Sequence, residues 1–111
     1  MPHTWSNEGL SGQPLRYVVC LALAKADGRA LTMPEIIAAV GAFGLPIAGR
    51  ASKTVSDALR TEVNRGRVRR VGRGRYRSDR PSESTLRWMQ GWLVRRKAAL
   101  AESYAAQSAV R

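Results

Sequence analysis

The sequence has few of the side chains from which catalytic and metal centres are built. It contains one cysteine, one histidine and eight acidic residues, and the acidic residues show no useful paired spacing. Nucleophile–base pairs and metal sites need several such groups together. The segment Gly72–Arg75 also lacks the lysine and the strand–helix context of a phosphate-binding loop. The sequence therefore predicts no enzyme, no metal site, no cofactor and no small-molecule ligand.

Long apolar segments are also missing from the sequence. No run of about 18 apolar residues occurs, and residues 1–14 have neither the charged nor the apolar region of a secretory signal. Cys20 has no second cysteine for an intrachain disulfide and lies among valine and leucine, so a buried, inert thiol is expected. These features predict a cytoplasmic protein without a membrane partner, and a length of 111 residues suits one domain.

Negative charge is scarce in comparison with positive charge. The chain has 19 basic and 8 acidic residues, which gives a formal net charge of +11. Nine of the basic residues are arginines between positions 60 and 80, where only two acidic residues occur. The positive charge is therefore concentrated in one part of the chain, and such a field is expected to attract a polyanion.

The densest part of this charge is the segment GRVRRVGRGRYR, residues 66–77, which we call the basic hairpin. Glycines on both sides of Arg73 predict a turn with Arg73 at its tip. The pair Arg69-Arg70 interrupts the alternation of a regular strand, which predicts a bulge. The alternative interpretation is a solvated charged loop that only discourages pairing at a strand edge.

Two helices are predicted before the basic hairpin. Apolar spacing indicates a first helix from Pro14 that ends at Asp27-Gly28. Leu31 is expected to add a single strand residue. The sequence Thr32-Met33-Pro34-Glu35 is typical of a capping box and predicts the start of a second helix, for which Gly44 provides a left-handed end.

A third helix is predicted over residues 49–65, directly before the basic hairpin. Helical spacing places four residues on one stripe, which is expected to face the core: Ser52, Val55, Leu59 and Val63. The opposite face is polar and basic, and its candidate binding residues are Arg50, Lys53, Thr54, Asp57, Arg60, Thr61 and Asn64. Asp57 either accepts a hydrogen bond from a cytosine amino group or orients Lys53 one turn away. The alternative interpretation of the whole face is an ordinary solvated helix surface.

The segment TVSDALRTEVNRGRVRRVGRGRYR resembles the last helix and wing of the winged helix-turn-helix superfamily, and looks most like its HARE-HTH and linker-histone-like branches. The resemblance covers roughly Pro14–Arg77. It implies a mainly α (α+β) fold with a basic two-stranded wing. It also implies that the third helix enters the major groove of duplex DNA and that the wing lies on a phosphate strand or in the minor groove. The wing role then falls on Arg69, Arg70, Arg73, Arg75 and Arg77.

These features together predict a duplex-DNA-binding protein, either a transcriptional regulator or a nucleoid-associated protein. Richness in alanine and arginine hints at a bacterial source, and the predicted location is then the nucleoid. The alternative is a winged-helix module for protein interaction, such as an antitoxin-like or assembly adaptor. RNA binding is disfavoured because the basic face has no aromatic stacking platform.

The C-terminal segment gives a signal of a different kind. The predicted organisation is a flexible arm over residues 1–12, a DNA-binding domain over 13–80 and a long C-terminal helix over 81–111, which Ser82 can cap. The helix carries a heptad-like apolar stripe, interrupted near Arg96-Lys97. The candidate dimerisation residues are Leu86, Trp88, Met89, Trp92, Leu93 and Leu100. A homodimer is expected; folding back onto the first helix and stacking of the tryptophans on bases are the alternatives.

Overall fold

Four helices and three short strands form in the part of the chain that the computed structural model describes. That part is residues 10–44 and 46–109, with side chains described as far as residue 99. The elements are α1 (Gly12–Lys25), β1 (Leu31–Thr32), α2 (Met33–Gly41), α3 (Ala51–Asn64), β2 (Val68–Gly72), β3 (Arg75–Ser78) and α4 (Glu83–Ala109). The chain therefore has the α+β class that its sequence predicts.

The helix α1 lies at the centre of the core, and the residues just before it are also packed. The side chains of Leu15, Val19 and Leu23 are fully buried on α1. Residues 1–9 of the predicted arm lie outside the described residues. Leu10 is buried as well, and its amide donates to the carbonyl oxygen of Pro46 at 2.7 Å. The prediction of a flexible arm up to residue 12 is thus wrong at Leu10, because this apolar side chain is covered by the core.

The helix α2 begins at the capping box that its sequence predicts, and it ends at Gly41, three residues before the predicted left-handed cap at Gly44. The Thr32 hydroxyl accepts from the amide of Glu35, and the Glu35 carboxylate accepts from the amide of Thr32 at 2.8 Å. These two hydrogen bonds form the predicted capping box. After the helix, Gly44 has a φ of +96°, a left-handed conformation that favours glycine. The backbone at both ends of α2 is therefore satisfied locally.

The helix α3 buries a stripe that differs in part from the predicted one. Val55 and Leu59 are fully buried, which confirms the centre of the prediction. Ser52 is exposed, and the stripe continues instead through Ala58 and Glu62, both of which are buried. The small Ala58 side chain suits a helix face packed against α1, and Glu62 is paired with arginines inside the protein. The inward face of α3 thus includes Ala58 and Glu62, which the predicted stripe left out.

The strands form one antiparallel sheet in the order β1-β3-β2. Leu31 of β1 pairs with Tyr76, which confirms that Leu31 adds a short strand. The strands β2 and β3 make the predicted hairpin, and their register shifts between Arg70 and Gly72, as the break in alternation predicts. Gly74, in the two-residue turn, has a φ of +67°. Arg73 therefore lies at the tip of the hairpin.

The helix α4 packs back onto α1. Ser82 accepts a hydrogen bond from the amide of Thr85 at 3.1 Å, which confirms it as the helix cap. The ring of Tyr17 on α1 meets the rings of Trp88 and Trp92 edge-on, with centroids 5.5 and 5.1 Å apart. In the described residues, none of the helices is long and apolar enough to cross a membrane.

The assignment of all six candidate dimerisation residues to a surface between two chains is wrong for two of them. Met89 and Leu93 lie in the core of the same chain, because α4 folds back and covers them against α1. Leu86 and Trp92 are partly buried against the same core, whereas Trp88 is 53% exposed. The side chain of Leu100 lies outside the described residues. The part of the predicted interface that stays open on the described surface is thus the face around Trp88.

Candidate nucleic-acid interface

The outward face of α3 carries one carboxylate between two cations. The Lys53 ammonium donates to Oδ2 of Asp57 at 3.2 Å, and Nη2 of Arg60 lies 3.3 Å from Oδ1 of the same carboxylate. Lys53 and Arg60 are both 70% exposed, so their charged ends remain accessible. Of the two predicted roles for Asp57, the structure shows the orienting contact with Lys53. We call Lys53, Asp57, Arg60 and Asn64, the most outward residues of the helix, the α3 crest.

The two threonines among the candidate binding residues are engaged with the backbone. The Thr54 hydroxyl lies 2.7 Å from the carbonyl oxygen of Ala48 and 3.0 Å from that of Arg50, and it donates toward these oxygens. The Thr61 hydroxyl donates to the carbonyl oxygen of Asp57 at 3.2 Å. Because each hydroxyl has one hydrogen, neither threonine offers a free donor to a ligand. The hydrogen bonds of Thr54 instead connect the loop before α3 to the first turn of that helix.

The helix α3 stands as a ridge between two clefts. The first, which we call the α1–α3 cleft, has a volume of about 400 Å³ and is lined by Ser11, Gly12, Arg16, Gly49, Arg50, Lys53, Thr54, Asp57, Ala58 and Thr61. The second, which we call the hairpin cleft, has a volume of about 200 Å³ and is lined by Ser56, Arg60, Val63, Asn64, Arg70 and Tyr76. Basic side chains thus lie on both flanks of the ridge.

The arginines of the basic hairpin do not all lie on one side of the sheet. Arg70 faces α3 and shares the hairpin cleft with Arg60. Arg73 is exposed at the tip. Arg69 and Arg77 are paired across the two strands. Because successive side chains of a strand point to opposite faces and Arg69 is next to Arg70, this pair lies on the other face of the sheet. Arg77 lines a different cleft of about 340 Å³, between the end of α1 and the start of α4. The structure therefore brings Arg70 next to the α3 crest and separates Arg77 from it.

The exposed side chains of the hairpin also differ in their pairing. Nε of Arg69 lies 4.0 Å from Oδ1 of Asp79, a long and weak ion pair. Arg75 is exposed and pairs across the strands with Thr32 on β1 and with Gly72 on β2. Arg75 therefore lies on the central strand of the sheet, close to the hairpin turn.

A buried ionic cluster connects α1, α3 and the basic hairpin. The carboxylate of Glu62 on α3 is fully buried and accepts two hydrogen bonds from the Arg67 guanidinium, at 2.6 and 2.9 Å. It also accepts from the Cys20 thiol at 2.8 Å, and Nε of Arg16 lies 3.3 Å from it. The hydrogen bond from Arg67 to Glu62 raises the pKa of the Arg67 guanidinium, so this cation stays charged.

Cys20 is a buried free thiol, as its apolar neighbours predict. Burial raises its pKa, and the hydrogen bond and negative charge of Glu62 raise it further. Because the thiolate is the reactive form, we expect this buried thiol to be unreactive in the folded protein.

The ionic cluster holds Arg67, which directly precedes β2, against α3. The Arg67 amide donates to the carbonyl oxygen of Glu62, and the carbonyl oxygen of Arg67 accepts from the amide of Asp79, both at 3.0 Å. Arg67 is therefore held by its side chain and by both backbone groups. The sequence pattern did not identify Glu62, Arg67 or Arg16. Periodicity gives no signal for them, because the cluster joins Glu62 of α3 to Arg16 of another helix and to Arg67 beyond the end of α3.

Comparisons of the chain with protein-family models, curated proteins and solved structures found no match. Among the described residues, no group of three or more histidine, cysteine or acidic side chains is arranged to hold a metal ion.

Proposed function

We propose that the protein binds duplex DNA as a winged helix-turn-helix domain. The order of elements supports this fold: three helices, with a short strand between the first two, are followed by a basic two-stranded hairpin. The sheet supports it as well, because the hairpin pairs through β3 with the strand that precedes α2. In this proposal α3 is the recognition helix and the β2–β3 hairpin is the wing.

The observation that carries the proposal is the basic ridge of α3 beside the basic hairpin. An α-helix with its side chains is about 10–12 Å wide, which matches the major groove of about 12 Å. Lys53 and Arg60 supply charged donors on the crest, and Asn64 supplies an amide that can bind the edge of adenine. Arg70 and Arg73 extend the positive surface from the crest to the hairpin tip. This arrangement suits base contacts by the helix and phosphate contacts by the hairpin.

The proposed role is transcriptional regulation or organisation of a bacterial nucleoid. A homodimer belongs to this proposal, because Trp88 leaves a large exposed aromatic surface on α4. A two-fold arrangement would place two α3 helices on successive major-groove faces of one duplex. The preferred site is then an inverted repeat with half-sites about 10 base pairs apart, or a multiple of that spacing.

Direct titration tests the proposal. Fluorescence anisotropy of labelled duplexes of varied sequence, at about 50 mM salt, should show binding at micromolar protein, because non-specific contacts alone reach roughly that range. The same titration is made with a labelled single strand and with a duplex that contains an inverted repeat. Absence of binding to every duplex would contradict the proposal.

The second candidate function is a protein-interaction module, and the exposed face of Trp88 favours it. Tryptophan is enriched where one protein surface binds another. The two functions differ in their response to salt, because binding to duplex DNA weakens steeply as phosphate counterions compete. A protein partner held at a salt concentration that removes duplex DNA would support the interaction module.

A further inference from the structure

The α1–α3 cleft is lined by a cation, Arg16, that has one buried donor atom without a hydrogen-bond partner. Arg16 on α1 lines this cleft, and its side chain is 21% exposed. Its Nε lies 3.3 Å from Glu62 but makes no hydrogen bond with any described residue, although the atom is buried. Arg67 already binds both oxygens of that carboxylate. Guanidinium groups in proteins are always charged and carry five donors.

The charges around Arg16 leave a positive excess directed at the cleft. Glu62 has one negative charge and faces two guanidinium groups, those of Arg16 and Arg67. With two guanidinium groups facing one carboxylate, the cluster carries one surplus positive charge, and Arg16 is the member that lines the cleft. Arg50 and Lys53 line the same cleft at the start of α3, and Asp57 is its one acidic residue among those described. The Asp57 carboxylate is already shared between Lys53 and Arg60.

The α1–α3 cleft lies on one flank of α3, where a duplex bound to α3 would place one of its phosphate strands. A helix that fills the major groove has one phosphate strand along each flank, because the groove is about as wide as the helix. On the flank toward the hairpin, Arg70 and Arg60 line the hairpin cleft. On the other flank, the side chains that a phosphate strand would meet are those of the α1–α3 cleft.

We propose that the α1–α3 cleft binds a phosphate group of the DNA strand on the α1 side of the recognition helix, through Arg16 together with Arg50. This inference rests on the proposed function and adds a contact from α1 to those expected from α3 and the hairpin. Arg16 acts here as a direct phosphate ligand. Its contact with Glu62 orients the guanidinium and leaves donors for the phosphate.

The salt dependence of DNA affinity tests this contact. For Arg16→Gln, the slope of log K against log salt should decrease in magnitude by about 0.9, the value for one phosphate contact, and the loss should be similar on every duplex. Arg16→Lys should keep the slope of the wild type, because it retains the charge. Arg87→Gln is the matched control: it removes one positive charge from an exposed residue of α4, and its slope should equal that of the wild type.

The results separate a failure of the proposed phosphate contact from a failure of the proposed DNA binding. If the wild type binds duplex DNA and Arg16→Gln has the slope of Arg87→Gln, the phosphate contact is refuted and DNA binding stands. If the wild type binds no duplex, both proposals fail. Arg16→Gln is expected to fold, since Glu62 keeps its bidentate partner Arg67, and far-ultraviolet circular dichroism with a thermal melt checks this.

A second measurement does not depend on a variant. The NMR resonance of the Arg16 Nε–H in the wild type should shift on addition of duplex DNA, and no shift would overturn the proposal. Inorganic phosphate, titrated against chloride at equal ionic strength, tests the other source of the same chemistry. A shift with inorganic phosphate and none with the duplex would identify a site for a free anion and refute the assignment to the DNA backbone.

Discussion

Glu62 is a carboxylate without solvent exposure, and the groups around it determine the effect of its removal. Replacement by glutamine leaves the guanidinium of Arg67 without its ionic partner and removes the charge beside Arg16. Breaking a buried ion pair from one side costs about 3–5 kcal/mol. We expect Glu62→Gln to lower the free energy of unfolding by about 3 kcal/mol in urea denaturation.

Glu83→Gln is the matched control for that change. Glu83 is almost fully exposed and lies 3.9 Å from Arg87, so its loss should change the free energy of unfolding by less than about 0.5 kcal/mol. Equal effects of the two substitutions would show that the buried cluster does not stabilise the fold.

Cys20 predicts a pH dependence of stability. Burial and Glu62 raise the pKa of its thiol above the ordinary value of 9.0, so the folded state holds the proton more tightly than the unfolded state. The contribution of this group is fully present below pH 9 and decreases as the pH rises further, by up to about 1.4 kcal/mol per pH unit. The free energy of unfolding, measured between pH 7 and 10, should decrease more steeply for the wild type than for Cys20→Ala. Parallel curves would contradict the prediction.

The basic hairpin shows which structural features local sequence determines and which require the tertiary fold. The glycines around Arg73 predict the turn, and Arg69-Arg70 predicts the bulge, because both depend on neighbours along the chain. The capping box at Thr32 is local in the same way. The burial of Glu62 could not be predicted from periodicity, because it depends on Arg67 and on Arg16 of another helix.

The two faces of the hairpin lead to a direct comparison of two arginines. Arg73 is exposed at the tip, whereas Arg77 lines the cleft between α1 and α4. Arg73→Gln should weaken all duplexes similarly and decrease the salt slope by about 0.9. Arg77→Gln, which makes the same change in charge, should keep the slope of the wild type. The opposite ranking in anisotropy titrations would show that the other face of the hairpin contacts DNA.

The sequence pattern of α4 likewise does not determine which surface the helix packs against. The apolar stripe of the helix suits either a second chain or α1, and helical spacing does not distinguish these partners. In this chain α4 packs on α1, where the ring of Tyr17 contacts Trp88 and Trp92. The interruption of the stripe also has a partner within the chain, since the Lys97 ammonium donates to the carbonyl oxygen of Phe43 at 2.8 Å.

The state of association is a property of the whole molecule. We expect light scattering at micromolar concentration to give a mass near twice 12.2 kDa, and Trp88→Gln to return it to the monomer. A wild-type mass near 12.2 kDa would contradict the dimer and, with it, the inverted-repeat site.

The distribution of charge over the whole molecule decides where a polyanion binds. A titration of the ¹⁵N-labelled protein with an unlabelled duplex, followed by NMR, locates the contact surface residue by residue. The proposed function predicts that the largest shifts occur at the α3 crest and at the turn around Arg73, while the amides of α4 change little. Shifts concentrated on α4 around Trp88, with the α3 crest unchanged, would contradict the assignment of α3 as the recognition helix.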